Sequence, residues 1–303
     1  MKKIRLVFVF SILIIQYLNS QKVGIVLSGG GAPGIAHIGM IKALEENGIP
    51  IDYITGTSIG AFIGGLYASG YSPDEMIRFF KSSDFRKMKR FEIKFPKKYF
   101  LPTHIIQPQK VQKGLEKLTR QAIKRSGGNF DSLFVSFRCV ASDVFRKESY
   151  IFSQGDLATA IRASMTFPFI FEAAKVDNRL LFDGGIYNNF PADIMLQTFH
   201  PDFIIGSVVA YNPPPADSND MLMQLQNMIT NDSNYSIPDS LGLVLNFDLK
   251  KRSMFDFSQI DSLVNVGYLE TKKQIEHIKM KVQRRVSMDE INCKRVSFRN
   301  SPL

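Results

Sequence analysis

Two strand-to-helix junctions in the first seventy residues narrow what this chain can fold into more than any other feature. The apolar run Val23–Leu27 leads through SGGGAPG into a helical stretch from about Pro33 to Asn47, stopped by Gly48. The run Ile51–Thr55 leads through GTSIG into a second helical stretch from about Ser58 to Ser69, stopped by Gly70. Strands joined through helices by connections this short lie parallel in one sheet, with helices on its faces. Pro33 suits the start of its helix, where a missing N–H costs nothing. At 303 residues, 45% of them hydrophobic, the chain can bury a sizeable core.

Downstream, Ser72-Pro73-Asp74-Glu75 opens another helix. Helices are also expected over about 109–124 and 156–163, with strands at 134–141, 148–152 and 203–209. Val176-Asp177-Asn178-Arg179-Leu180 reads as a tight hairpin feeding a strand at 180–182. A long helix is expected over 260–282, whereas Arg295-Val296-Ser297-Phe298 reads as a strand without a partner. Between 84 and 107 the pattern breaks, and basic residues interleave with Phe85, Phe91, Phe95, Tyr99 and Phe100. That segment is either a solvated loop pinned by aromatics or a flap facing a membrane.

The glycine run poses a question of chemistry. Gly29-x-Gly31-x-x-Gly34 after an apolar strand fits the spacing of a dinucleotide-binding loop. Such a fold also wants a ribose-binding acid at the far end of the second strand. Asp52 has nearly the right count but lies at the strand's start, and the far end carries Ser58 instead. Gly56-Thr57-Ser58-Ile59-Gly60 is G-x-S-x-G in its required strand-to-helix context. A serine on that sharp turn presents its hydroxyl at a helix N-terminus, where backbone dipoles favour negative charge. The glycine run beside it then reads as an oxyanion hole, in which the N–H groups of Gly29, Gly30 and Gly31 converge on one point.

A serine nucleophile needs a base. His104, His200 and His277 occupy no obvious catalytic turn, and His37 is expected to be packed under the glycine loop. Asp183-Gly184-Gly185 offers an acid at a strand end, followed by glycines that let the backbone turn tightly. A desolvated carboxylate touching the serine can take its proton, because burial raises its pKa.

With GGGAPG, GTSIG, ASMTFP and DGGIYNNFP in that order, the chain resembles the patatin-like phospholipase family over about residues 22–210. The resemblance implies a three-layer α/β/α sandwich with a mainly parallel central sheet, and a serine acyl hydrolase acting on lipid esters without cofactor or metal. It implies a dyad of Ser58 and Asp183 without histidine, an oxyanion hole from Gly29, Gly30 and Gly31, and supporting glycines Gly34, Gly56, Gly60, Gly184 and Gly185. Ser164 and Pro168 match a block that shapes the site, and Asn189 with Pro191 match the segment after the acid. Pro33 departs from the family, which usually carries arginine or lysine there; that puts phosphate recognition rather than acyl chemistry in question. The competing reading is a catalytically weak lipid-binding or outer-membrane assembly module on the same fold.

The amino terminus has the outline of a secretory signal: Lys2, Lys3 and Arg5 precede the apolar run Leu6–Ile15, which is too short to span a bilayer. Residues 1–20 are therefore expected to be a signal peptide, with an uncleaved anchor as the alternative, 21–285 the hydrolase domain and 286–303 an extension that begins a further module. An exported, periplasmic or outer-membrane location follows. The formal charge of +10 suits an anionic membrane surface. Nucleic acid is a poor partner for an exported chain. Two cysteines, Cys139 and Cys293, make no disulfide framework, and both are expected to be free.

Overall fold

The computed structural model describes residues 21–88, 108–168, 170–212, 219, 224, 227–228, 230–249 and 252–302. The expected signal segment at 1–20 and most of the basic, aromatic stretch, residues 89–107 with His104, lie outside the described residues.

Strand β1 (Val23–Leu27) passes through a 3₁₀ turn (Ala32–Ile35) into helix α1 (Ala36–Glu46), and β2 (Tyr53–Thr57) passes through Ser58 into α2 (Ile59–Ala68). Both junctions arise as the apolar runs and glycines require, although Pro33 sits second in a 3₁₀ turn rather than at the head of the α-helix. Helices α3 (Pro73–Lys81), α4 (Ser83–Met88) and α5 (Pro108–Ser126) follow. After them come β3 (Ser136–Asp143), β4 (Glu148–Phe152) and α6 (Leu157–Ser164). The hairpin β5 (Ala174–Val176) and β6 (Arg179–Asp183) turns on Asp177 and Asn178, both at positive φ. Helix α7 (Ala192–Phe199), β7 (Phe203–Val208), β8 (Gly242–Asn246), α8 (Ile260–Lys281) and α9 (Met288–Asn300) complete the described elements.

The sheet is mixed. Strands β3, β2, β1, β7 and β8 are parallel neighbours in that order, and β4, β6 and β5 add antiparallel pairings beyond β3. One face carries the main core, into which α1, α2 and α6 send Ile38, Phe62 and Ile161. The other face is covered over β1 and β7 by Phe190, Met195 and Ile237. Helix α8 crosses α1 so closely that a Cβ on Gly39 would sit 2.0 Å from the Val264 carbonyl, and one on Gly267 1.9 Å from that of Ala36. Only glycine fits either crossing point.

The carboxyl-terminal expectation needs correcting. Residues 295–298 belong to α9, not to an unpaired strand, and residues 286–302 pack on the body of the domain. Ser287 and Glu290 form a reciprocal capping box that starts the helix. The buried Arg295 then reaches Glu45 of α1 at 2.5 Å, and Glu45 also accepts from Tyr67 at 2.7 Å. Four residues of alternating polarity are too short to distinguish a strand from one helical face, and the buried partner that decides the matter lies 250 residues away.

Candidate active site

The pairing of β3 brings the site together. Along one edge of β3, β2 pairs as far as Thr57, opposite Val140. There β2 turns away into α2, and on the vacated edge β6 arrives antiparallel with Asp183 opposite Ala141. β4 holds the other edge from Cys139 to Asp143. A residue following Thr57 and the last residue of β6 therefore meet at one level of the sheet, although 125 positions separate them.

Ser58 adopts φ 54° and ψ −121°, a conformation that costs a non-glycine residue roughly 1–3 kcal/mol. Its surroundings hold it there. A Cβ on Gly56 would fall 2.6 Å from the Gly60 carbonyl, and one on Gly60 2.3 Å from that of Leu27, so the turn closes only with glycine at both positions. Ser58 N–H donates to Ser164 Oγ at 2.9 Å, and that hydroxyl donates to the Val140 carbonyl at 2.6 Å. Ser164 thus fastens the turn to β3, which is the structural content of the ASMTFP block. Gly34 lets the first loop press against Ile59.

Ser58 Oγ donates to Asp183 Oδ2 at 2.6 Å, while Asp183 Oδ1 accepts the Gly185 N–H at 2.8 Å. Burial pushes the Asp183 carboxyl up to about 6, against the pull of those two hydrogen bonds. Gly184 presses against the Val140 carbonyl, so the backbone after the acid turns directly beneath β3.

The three loop glycines are not equivalent. Gly29 N–H donates to the Asn189 carbonyl at 3.1 Å, which removes it from the expected set of open oxyanion donors. Gly29 acts instead by close approach: a Cβ there would lie 2.2 Å from Asn189 Oδ1 and 3.2 Å from Ser58 Cβ. Gly30 and Gly31, both at positive φ, have no hydrogen bond to their N–H groups among the described residues. They are the open N–H groups of the expected three. Pro33 is buried, so a lysine in its place would not simply present a charge to the loop.

His37 lies beneath this loop, fully buried. Its Nδ1 faces Ser207 Oγ at 2.6 Å and its Nε2 the Ser28 carbonyl at 2.9 Å. Burial pushes it down to about 4, so it is neutral at physiological pH, and neither nitrogen is directed to Ser58. Asp52 lies at the opposite end of the strands, accepting from Val23 N–H and pairing with Arg284, which removes the ribose-acid alternative. Cys139, buried in β3, and Cys293, on α9, are both free thiols.

Sequence reading singles out Asn189 but not Ser233 and Tyr235, which hold it. Asn189 Nδ2 donates to the Tyr235 hydroxyl at 2.7 Å, and Asn189 N–H to Ser233 Oγ at 3.1 Å. Tyr235 comes from an irregular stretch before β8 with no motif to flag it. It also lines a cavity of about 400 Å³ with Val209, Tyr211 and Phe247, at the carboxyl ends of β7 and β8. Gly30 packs on Val209 and Ala210 of the same wall, so the cavity adjoins the glycine loop.

The model of the patatin-like phospholipase family matches residues 25–196, more than half of the chain. This chain belongs to the patatin-like phospholipase family. Its α/β fold is the patatin-like one. A patatin-like phospholipase domain-containing protein of Caenorhabditis elegans is 32% identical over 183 residues, covering 59% of this chain and 13% of that protein. Lysophospholipase NTE1 of Saccharomyces cerevisiae is 32% identical over 181 residues, covering 59% of this chain and 10% of its own length. The chain thus matches about a tenth of the length of these curated relatives. Among solved structures, VipD from Legionella pneumophila aligns with a TM-score of 0.47 and 13% identity, over 92% of this chain and 74% of that one.

Proposed function

We propose that the protein is a serine acyl hydrolase that cleaves acyl esters of lipids through Ser58 and Asp183. The observation that carries this reading is the 2.6 Å hydrogen bond from Ser58 Oγ to a buried carboxylate, at a strained strand-to-helix turn. Ser58 Oγ attacks the ester carbonyl as its proton passes to Asp183 Oδ2. The carbonyl oxygen becomes an oxyanion held by the N–H groups of Gly30 and Gly31, each such donor being commonly worth about 3 kcal/mol in the transition state. Asp183 then protonates the departing alcohol. Water attacks the acyl-Ser58 ester, giving its proton to Asp183, and the fatty acid leaves as Ser58 recovers its proton.

Family membership supports lipid esters as the substrate class, and the relatives named lysophospholipases make a single-chain phospholipid the first candidate. The basic, apolar leader at 1–20 supports export of the chain. Purified protein is expected to release fatty acid from lysophosphatidylcholine at a rate that Ser58→Ala abolishes. Folded wild-type protein that releases fatty acid from neither lysophospholipid, diacyl phospholipid nor neutral acylglycerol would overturn the proposal.

A further inference from the structure

The sheet face covered over β1 and β7 opens to solvent along β4 and β6 at its other end. Register places Ile151 opposite Val140, Leu180 opposite Lys175, and Phe182 and Ser149 opposite Ser142, all on that face. Ile151 is 42% exposed and Leu180 54%. Beyond them the turn joining β3 to β4 reads Val144-Phe145-Arg146-Lys147, and Phe145, 92% exposed, is the most exposed large hydrophobic side chain among the described residues.

This apolar tip is held rather than frayed. The buried Asp143 carboxylate accepts the N–H groups of Phe145 at 3.1 Å and Arg146 at 3.0 Å, and Arg179 pairs with both Asp143 and Glu148. The turn therefore presents Phe145 to solvent with its backbone pinned. Lys147 and Lys175, exposed on either side, have no ion pair among the described residues. The patch and the dyad share one strand, for Leu180 and Asp183 both belong to β6. β3 runs two residues past Ala141 to Asp143, about 7 Å from the level of the dyad, and Phe145 follows in the turn.

We infer that this corner of the sheet, with Phe145 at its tip, docks the protein on an anionic lipid bilayer. A rigid aromatic tip, a patch of aliphatic side chains and unpaired lysines at its rim are what a headgroup boundary receives: the apolar groups enter the acyl edge and the ammonium groups meet phosphates. Without Lys2, Lys3 and Arg5 of the leader the net charge falls from +10 to +7, which still favours the same partner. The inference rests on the lipid-ester reading only in that it brings Ser58 within reach of a substrate held in a membrane.

The chain contains no tryptophan, so Phe145→Trp creates a single fluorophore at the tip. Vesicles of phosphatidylcholine with phosphatidylglycerol are expected to shift its emission to the blue, and vesicles of phosphatidylcholine alone to do so less. Phe145→Ser combined with Leu180→Ser should bind the anionic vesicles about tenfold more weakly while hydrolysing a soluble short-chain ester at the wild-type rate. Lys147→Glu with Lys175→Glu should abolish the preference for anionic vesicles. Unchanged emission on either vesicle overturns the inference, as does a dimer that Phe145→Ser dissolves, since the patch would then belong to a second copy. If no variant, wild type included, hydrolyses the soluble ester, it is the hydrolase reading that fails, and the emission shift still decides docking.

Discussion

Asp183→Asn is expected to lower acyl hydrolysis by about 10⁴-fold while leaving the protein more stable at neutral pH. The loss of activity follows because asparagine cannot take the Ser58 proton. The gain in stability follows from burial. A carboxyl raised from 3.8 to about 6 on folding contributes stability that is complete below pH 3.8 and lost as pH rises through 6, so at neutral pH the native state carries a cost of roughly 3 kcal/mol. Asparagine removes that cost and still accepts from Gly185. His37 works with the opposite sign: depressed from 6.5 to about 4, it contributes stability present above 6.5 and lost as pH falls toward 4. The two slopes oppose one another between about 4 and 6. Urea unfolding across pH should therefore show a steeper rise of stability with pH in Asp183→Asn than in the wild type. A variant that is destabilised at neutral pH, or one that keeps its activity, would remove the carboxylate from the role assigned to it.

The second large effect belongs to the carboxyl-terminal helix. Arg295→Ala is expected to destabilise the fold by about 3–5 kcal/mol, because it strands the buried Glu45 carboxylate without its cation. The guanidinium also lies 5.2 Å above the Phe134 ring and 5.7 Å above Tyr67, so packing is lost with the charge. Removing both charges together with Glu45→Gln and Arg295→Met should cost much less than Arg295→Ala alone. Chemical denaturation reads the difference. By contrast, the Arg299–Glu75 pair is partly solvated, and breaking it should cost at most about 1 kcal/mol. If Arg295→Ala proves no more harmful, α9 is an appendage rather than part of the folded unit.

Local signals made most of the central frame legible. Apolar runs ending in glycines announced β1, β2, α1 and α2, and G-x-S-x-G located the strained serine because its chemistry is confined to five consecutive residues. Asp183 is marked by the glycines after it, the first of which lets the chain pass under Val140. What escaped the sequence depends on distant partners. Nothing within SGGGAPG indicates that Gly29 spends its N–H on the Asn189 carbonyl, 160 residues on. Tyr235 is an unremarked residue in an irregular stretch until Asn189 reaches it. Residues 295–298 escape a local reading because alternation over one helical turn mimics a strand, and the Glu45 partner that fixes them lies at the other end of the chain.

The pH dependence of Ser58 modification by a fluorophosphonate tests the central claim most directly. Peptide mapping should find the adduct on Ser58, with a rate that rises through an apparent pKa of about 6 as Asp183 ionises, and Asp183→Asn should react slowly at every pH. Folded wild-type protein left unmodified at Ser58, or an Asp183→Asn variant modified at the wild-type rate, would contradict a serine activated by this carboxylate.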